Sequence, residues 1–136
     1  MTEMIEIAVV GAHLSGMPLN HELTARGGVL RRQIATQDCY RLYALAGGPP
    51  ARPGLLRVAA GAGHAIETEV WALPPDQFGW FVAGIPAPLG VGVLRLADGA
   101  TPKGFLVEPE GLAGAEDIST FGGWRAFVAA RTRSVA

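Results

Sequence analysis

The chain is 136 residues long, carries a formal net charge of −1, and is 49% apolar with only 17% charged residues. That length suits one domain with its own core, and the near-neutral balance without a basic run points away from nucleic acid as a partner. No apolar stretch reaches the roughly 18 residues of a membrane span, since Val82–Val93 is broken by Pro86, Pro88 and three glycines, and the opening Met-Thr-Glu-Met-Ile-Glu lacks signal-peptide character, so a cytoplasmic protein without membrane association is expected.

Glycine (19) and proline (10) punctuate the apolar segments, as in a many-turned β protein. Ile5–Val10 reads as a buried strand ending at Gly11. Gly11–Asn20 is a loop carrying His13 and Ser15, and Asn20–Arg26 is a short helix that Asn20 would cap. Val29–Thr36 and Tyr40–Leu45 read as two strands joined by a Gln37-Asp38 turn. Gly47–Pro53 is a loop, and Gly54–Ala59 a further strand before the Gly61-Ala62-Gly63 turn. Ala65–Leu73 alternates, which puts Glu67, Glu69 and Trp71 on one face, either in solvent or in a polar pocket.

Pro74-Pro75-Asp76 opens a helix, with Phe78, Phe81, Val82 and Ile85 as its core-facing stripe. Val91–Leu96 and Thr101–Val107 form a hairpin around the Asp98-Gly99 turn. Ser119 or Asp117 would cap a last helix bearing Phe121, Trp124, Phe127 and Val128, weakened by Gly122-Gly123. Arg125, Arg131 and Arg133 give that end a local basic bias, assigned to a frayed helical terminus. Trp71, Trp80 and Trp124 read as core or interface aromatics. Cys39 is alone, which excludes an internal disulfide, and the spacing of His13, His21 and His64 suggests no metal site.

Gly11-Ala12-His13-Leu14-Ser15-Gly16-Met17-Pro18-Leu19-Asn20 closely resembles the opening motif of the allophanate hydrolase C-terminal domain family. In order along the chain, Tyr40–Tyr43, Ile66–Pro74, Ile85–Gly92, Lys103–Glu108, Gly114–Ile118 and Phe121–Arg125 also match, so the resemblance covers nearly the whole chain. It implies an α+β, gamma-glutamylcyclotransferase-like fold: a small closed, twisted, mostly antiparallel β-barrel with two or more packed helices. In that wider family the loop after the first strand binds a substrate carboxylate through backbone N–H groups, and Gly11-Ala12-His13-Leu14 occupies its place here. The wider family's general base follows the strand matching Ala65–Leu73, but Phe78–Leu89 holds no Glu. A cyclotransferase reading would have to use Glu69 instead.

The resemblance further implies an activity, the decomposition of N-carboxycarbamate to carbamate and carbon dioxide during urea and allophanate breakdown, with no cofactor. No segment resembles amidase machinery, so the substrate would come from a separate amidase-domain protein. A non-catalytic partner module for such an amidase is the rival reading, and a homodimer is the other assembly considered. Loss of carbon dioxide from a substrate with two carboxylates on one nitrogen leaves electron density on that nitrogen, so a proton donor beside it lowers the barrier. His13 titrates in the right range and is the expected general acid. Glu69 is the second catalytic candidate. The small anionic carboxylated substrate would be held by a backbone nest around Gly11, Ala12, Leu14 and Ser15, by Asn20 and Tyr40, and by the cations Arg41 and Lys103.

Overall fold

The computed structural model describes residues 3–135, and side chains through Thr132; Met1, Thr2 and the Arg133 side chain of the basic end lie outside. Eight strands and three helices are formed among these residues. They run in the order β1 (Ile5–Val9), α1 (His21–Thr24), β2 (Val29–Ala35), β3 (Tyr40–Ala44), β4 (Pro53–Arg57), β5 (Glu67–Leu73), α2 (Pro75–Ala83), β6 (Leu89–Val93), β7 (Lys103–Val107), β8 (Glu116–Asp117) and α3 (Trp124–Val135).

The expected closed barrel does not form. The strands divide into a five-stranded mixed sheet, ordered β2-β5-β1-β7-β6, and a three-stranded sheet, ordered β4-β3-β8. In the large sheet β1 runs antiparallel to β5 and parallel to β7. Beyond β2 the chain begins to wrap, with a single bridge from Thr36 to Leu96 flanked by bonds from the Gln37 amide to the Arg95 carbonyl and from the Ala97 amide to the Ala35 carbonyl. No ladder extends from that bridge, so the sheet stays open. The two sheets meet by side-chain packing: a Cβ at Gly54 of β4 would stand 2.8 Å from Val107 Cβ of β7. β2 and β3 therefore belong to different sheets and are not a hairpin, whereas β6 and β7 pair antiparallel across the Asp98-Gly99 turn as expected, with Gly99 at φ +88°.

The core holds Ile7, Val9, Leu14, Leu42, Ile66, Val70, Leu73, Leu94 and Leu96, with Trp71 and Trp124 also buried. Trp80 departs from them, standing 67% exposed on α2. Of the α2 stripe, Phe81 is buried while Phe78 and Ile85 pack against the core. Ser119 and Asp117 do not cap α3, which starts only after the left-handed Gly122. Instead the Ser119 hydroxyl accepts the buried Leu42 amide at 2.8 Å and donates to Asp117 Oδ1 at 2.6 Å, tying the turn before α3 to β3. Among the described residues no helix is long and apolar enough to cross a membrane.

Candidate active site

The segment after β1 is shaped by its own backbone. The Leu14 amide bonds the Gly11 carbonyl (3.0 Å), Met17 bonds Leu14 (2.9 Å), and Leu19 reaches back to Ala12 (2.8 Å). Asn20 Nδ2 donates to the His13 carbonyl at 2.9 Å. Asn20 is already helical in φ and ψ and makes no side-chain cap, so its role is to brace the loop. Gly16 uses its conformational freedom, at φ +82°. Gly11 is needed for closeness: a Cβ there would fall 2.3 Å from Pro53 Cδ and Cγ. That contact seats the start of β4, and with it Arg52, against the loop.

His13 is held in this loop with its side chain only 14% exposed. Its Nε2–H donates to Glu22 Oε1 at 2.8 Å, which fixes the ring and leaves Nδ1 as the second functional nitrogen. The ring stands edge-on to Phe81 (centroids 5.0 Å) and tilted to Phe105 (5.5 Å). Burial pulls its pKa below the ordinary 6.5, Glu22 opposes that, and the Arg52 charge adds to the lowering. The imidazole borders a cavity of about 150 Å³. Its lining combines Glu22, Arg26 and Arg52 with Val10, Phe81, Ile85, Leu89 and Phe105, and with Gly11 and Ala12 of the loop. Two arginines thus share the lining with one carboxylate, and protonation of His13 would add a further positive charge there.

Glu69 lies elsewhere. It is fully buried, and its carboxylate accepts the Ser15 amide (2.8 Å), the Ser15 hydroxyl (2.5 Å), Trp71 Nε1 (3.0 Å), Arg125 Nη2 (2.8 Å) and Gln33 Nε2 (3.3 Å). Burial alone would raise its pKa, but the Ser15, Arg125 and Trp71 bonds outweigh that and hold it at about 2. A carboxylate so satisfied, and outside the cavity lining, is a structural anchor and no proton acceptor. The cyclotransferase reading therefore lacks its base.

Arg125 completes the anchor. It also bonds the Ser15 carbonyl at 2.6 Å and Glu67 at 3.0 Å, so the first turn of α3 clamps the His13 loop to β5. Gly123 permits the approach, since a Cβ there would sit 2.9 Å from Glu67 Cβ. This arginine is a clamp and not part of a frayed terminus.

Several other expected ligand groups are committed elsewhere. Leu14 is core at 0% exposure, and the Leu14 and Ser15 amides are already bonded, so they do not form an anion nest. Tyr40 is buried, with its hydroxyl accepting the Arg95 amide at 2.9 Å. Arg41 pairs with Asp117 at 3.1 Å and bonds the Ala62 carbonyl. Lys103 is exposed at the start of β7. None of these lines the cavity. Of the expected residues, His13, Gly11 and Ala12 are the ones brought to it.

Glu22, Arg26 and Arg52 went unnoticed in the sequence. Arg52 is the single charge in the glycine- and proline-rich stretch before β4, and Glu22 lies two residues past the His13 motif. Neither has a spacing to His13 that forces contact; only the fold supplies it.

The chain also matches known proteins in sequence and fold. The model of the allophanate hydrolase C-terminal domain matches residues 5–129. Urea amidolyase of Saccharomyces cerevisiae is 40% identical over 126 residues, which is 90% of this chain but only 7% of that protein. Among solved structures, Kluyveromyces lactis allophanate hydrolase aligns with a TM-score of 0.90 at 39% identity, over 93% of this chain and 21% of that one. A uropathogenic E. coli-specific protein aligns at 0.85 and 31% identity, over 93% and 97% of the two chains. More distant neighbours share the gamma-glutamylcyclotransferase-like fold alone. The match runs through the His13 loop, the Arg52 segment and the α3 clamp alike, and on it the chain belongs to the allophanate hydrolase C-terminal domain family.

Proposed function

We propose that the cavity beside His13 binds N-carboxycarbamate and releases carbon dioxide from it. The observation that carries this reading is a histidine whose Nε2 is fixed by Glu22 and whose ring borders a small cavity also lined by two arginines. A dianion entering that hollow favours the imidazolium, reversing the effect of burial, so substrate binding itself charges the acid. The imidazolium then gives its proton to the substrate nitrogen. As the carbon–nitrogen bond breaks, its electron pair stays on that nitrogen, carbon dioxide departs, and carbamate remains. The second carboxylate is untouched. Glu22 keeps the ring oriented and stabilises its charged form, and the flanking phenylalanines limit water access.

The chain spans 7% of the urea amidolyases it matches, so its place beside an amidase is part of the proposal. The amidase step supplies an unstable dianion, and a cavity of this size suits so compact a species. The experiment couples the protein to an amidase that makes N-carboxycarbamate and follows carbon dioxide. Acceleration over the spontaneous reaction is expected, with His13→Ala reducing the rate about 10²- to 10⁴-fold, the usual contribution of a positioned acid. Unchanged release with the wild-type protein, or full activity in His13→Ala, refutes the reading.

A further inference from the structure

The cavity lining is part charged and part apolar, and that mixture has a chemical meaning for a molecule with two equivalent carboxylates. Arg26 and Arg52 both line it, but they differ. Arg26 Nη1 donates to Gln77 Oε1 at 3.2 Å. Among the described residues Arg52 has no carboxylate partner, and its buried Nε has no hydrogen bond at all. An unsatisfied buried donor on a guanidinium is costly unless a ligand completes it. Arg52 is also locked in place, by the Leu45 amide on its carbonyl (3.0 Å) and by Pro53 packed on Gly11. Phe81 and Phe105 stand 5.6 Å apart, each against the His13 ring, and share the cavity lining with Ile85 and Leu89.

The carboxylate that becomes carbon dioxide loses its charge in the transition state, whereas the retained one keeps it. A cation on the departing group stabilises the ground state more than the transition state and slows the reaction; a cation on the retained group does no such harm. On the reading above, we propose that Arg52 is the specificity-determining anchor for the carboxylate that stays, and that the Phe81–Phe105 wall receives the one that leaves. His13, whose ring packs on both phenylalanines and borders the same cavity, then meets the nitrogen that joins the two carboxylates. The site thereby selects compact 1,3-related dicarboxylates over monocarboxylates.

The test uses malonate, which has the two carboxylates but no scissile carbon–nitrogen bond. Calorimetric titration of the wild-type chain should show binding well above that of acetate. Arg52→Gln should lower malonate affinity roughly ten- to hundredfold, as loss of a charged hydrogen-bonding partner does, and Arg52→Lys should fall between. Ile85→Lys, which puts a cation among the apolar lining residues, should keep malonate binding yet slow carbon dioxide release. Malonate bound equally by wild type and Arg52→Gln, both folded by circular dichroism, overturns the anchor. Faster release in Ile85→Lys overturns the assignment of the leaving end. If malonate binding depends on Arg52 but the wild-type chain releases no carbon dioxide, the decarboxylation reading falls and the Arg52 anchor stands.

Discussion

At the scale of single residues, the two carboxylates that flank the His13 loop have opposite duties, and burial with its partners decides which. Glu22 is partly exposed and meets one imidazole N–H, so it remains an adjustable partner for the ring. Glu69 has no exposure and five donors, so it is fixed as an anion. Its folded pKa of about 2 lies below the ordinary 4.5, so its stabilisation is complete above about pH 4.5 and is lost as pH falls toward 2. Glu69→Gln should therefore cost about 3 kcal/mol at neutral pH, in the range for breaking a buried pair, and should flatten the acid limb of stability between pH 4.5 and 2. Urea denaturation at a series of pH values measures both; an unchanged acid limb means that the clamp is not the titrating element. His13 was legible in the sequence because its glycine-flanked motif is long and specific. The role of Glu69 was not, because alternation along β5 shows which face a side chain takes but not whether that face meets solvent, a pocket or another helix. The first turn of α3 covers it, through Arg125, from 56 positions away.

At the scale of elements, local rules read well where the chain makes its own contacts. The α2 start at Pro75 and the β6–β7 hairpin around Asp98-Gly99 both follow from short-range chemistry. The misreadings fall where a distant segment decides. Ser119 and Asp117 have capping side chains, but these serve β3 and the turn before α3. Similarly, β2 and β3 are neighbours in sequence and partners of different strands. The packing of β4 on β7 is the most exacting of these contacts, because Gly54 has no room for a side chain beside Val107. Gly54→Val should destabilise the chain by about 1–3 kcal/mol or more, the cost of overpacking, and should displace Arg52 at the head of β4. A lowered urea midpoint together with weakened malonate binding is the expected pair of results; a shift in neither means that the two sheets do not depend on this contact.

At the scale of the whole molecule, the expected barrel and the observed pair of sheets differ by one unmade ladder. The wrap beyond Thr36 starts, then stops at one bridge to Leu96. Sequence pattern defines strands and their faces, but closure depends on how far a register continues, and nothing local encodes that. The same limit applies to the cavity. Its walls come from the loop after β1, α1 with Arg26 beyond it, the head of β4, the end of α2, β6 and β7. His13 could be picked out alone, while Arg52 sat in a segment that looked like an ordinary loop and Arg26 at the end of a short helix. The proposed reaction requires a dianion to settle beside this imidazole. The most direct measurement is an NMR pH titration of the His13 ring with and without malonate. Without ligand the ring should titrate below the ordinary histidine value, because it is buried, and saturating malonate should move its pKa upward. A His13 titration curve that malonate leaves in place would contradict the account.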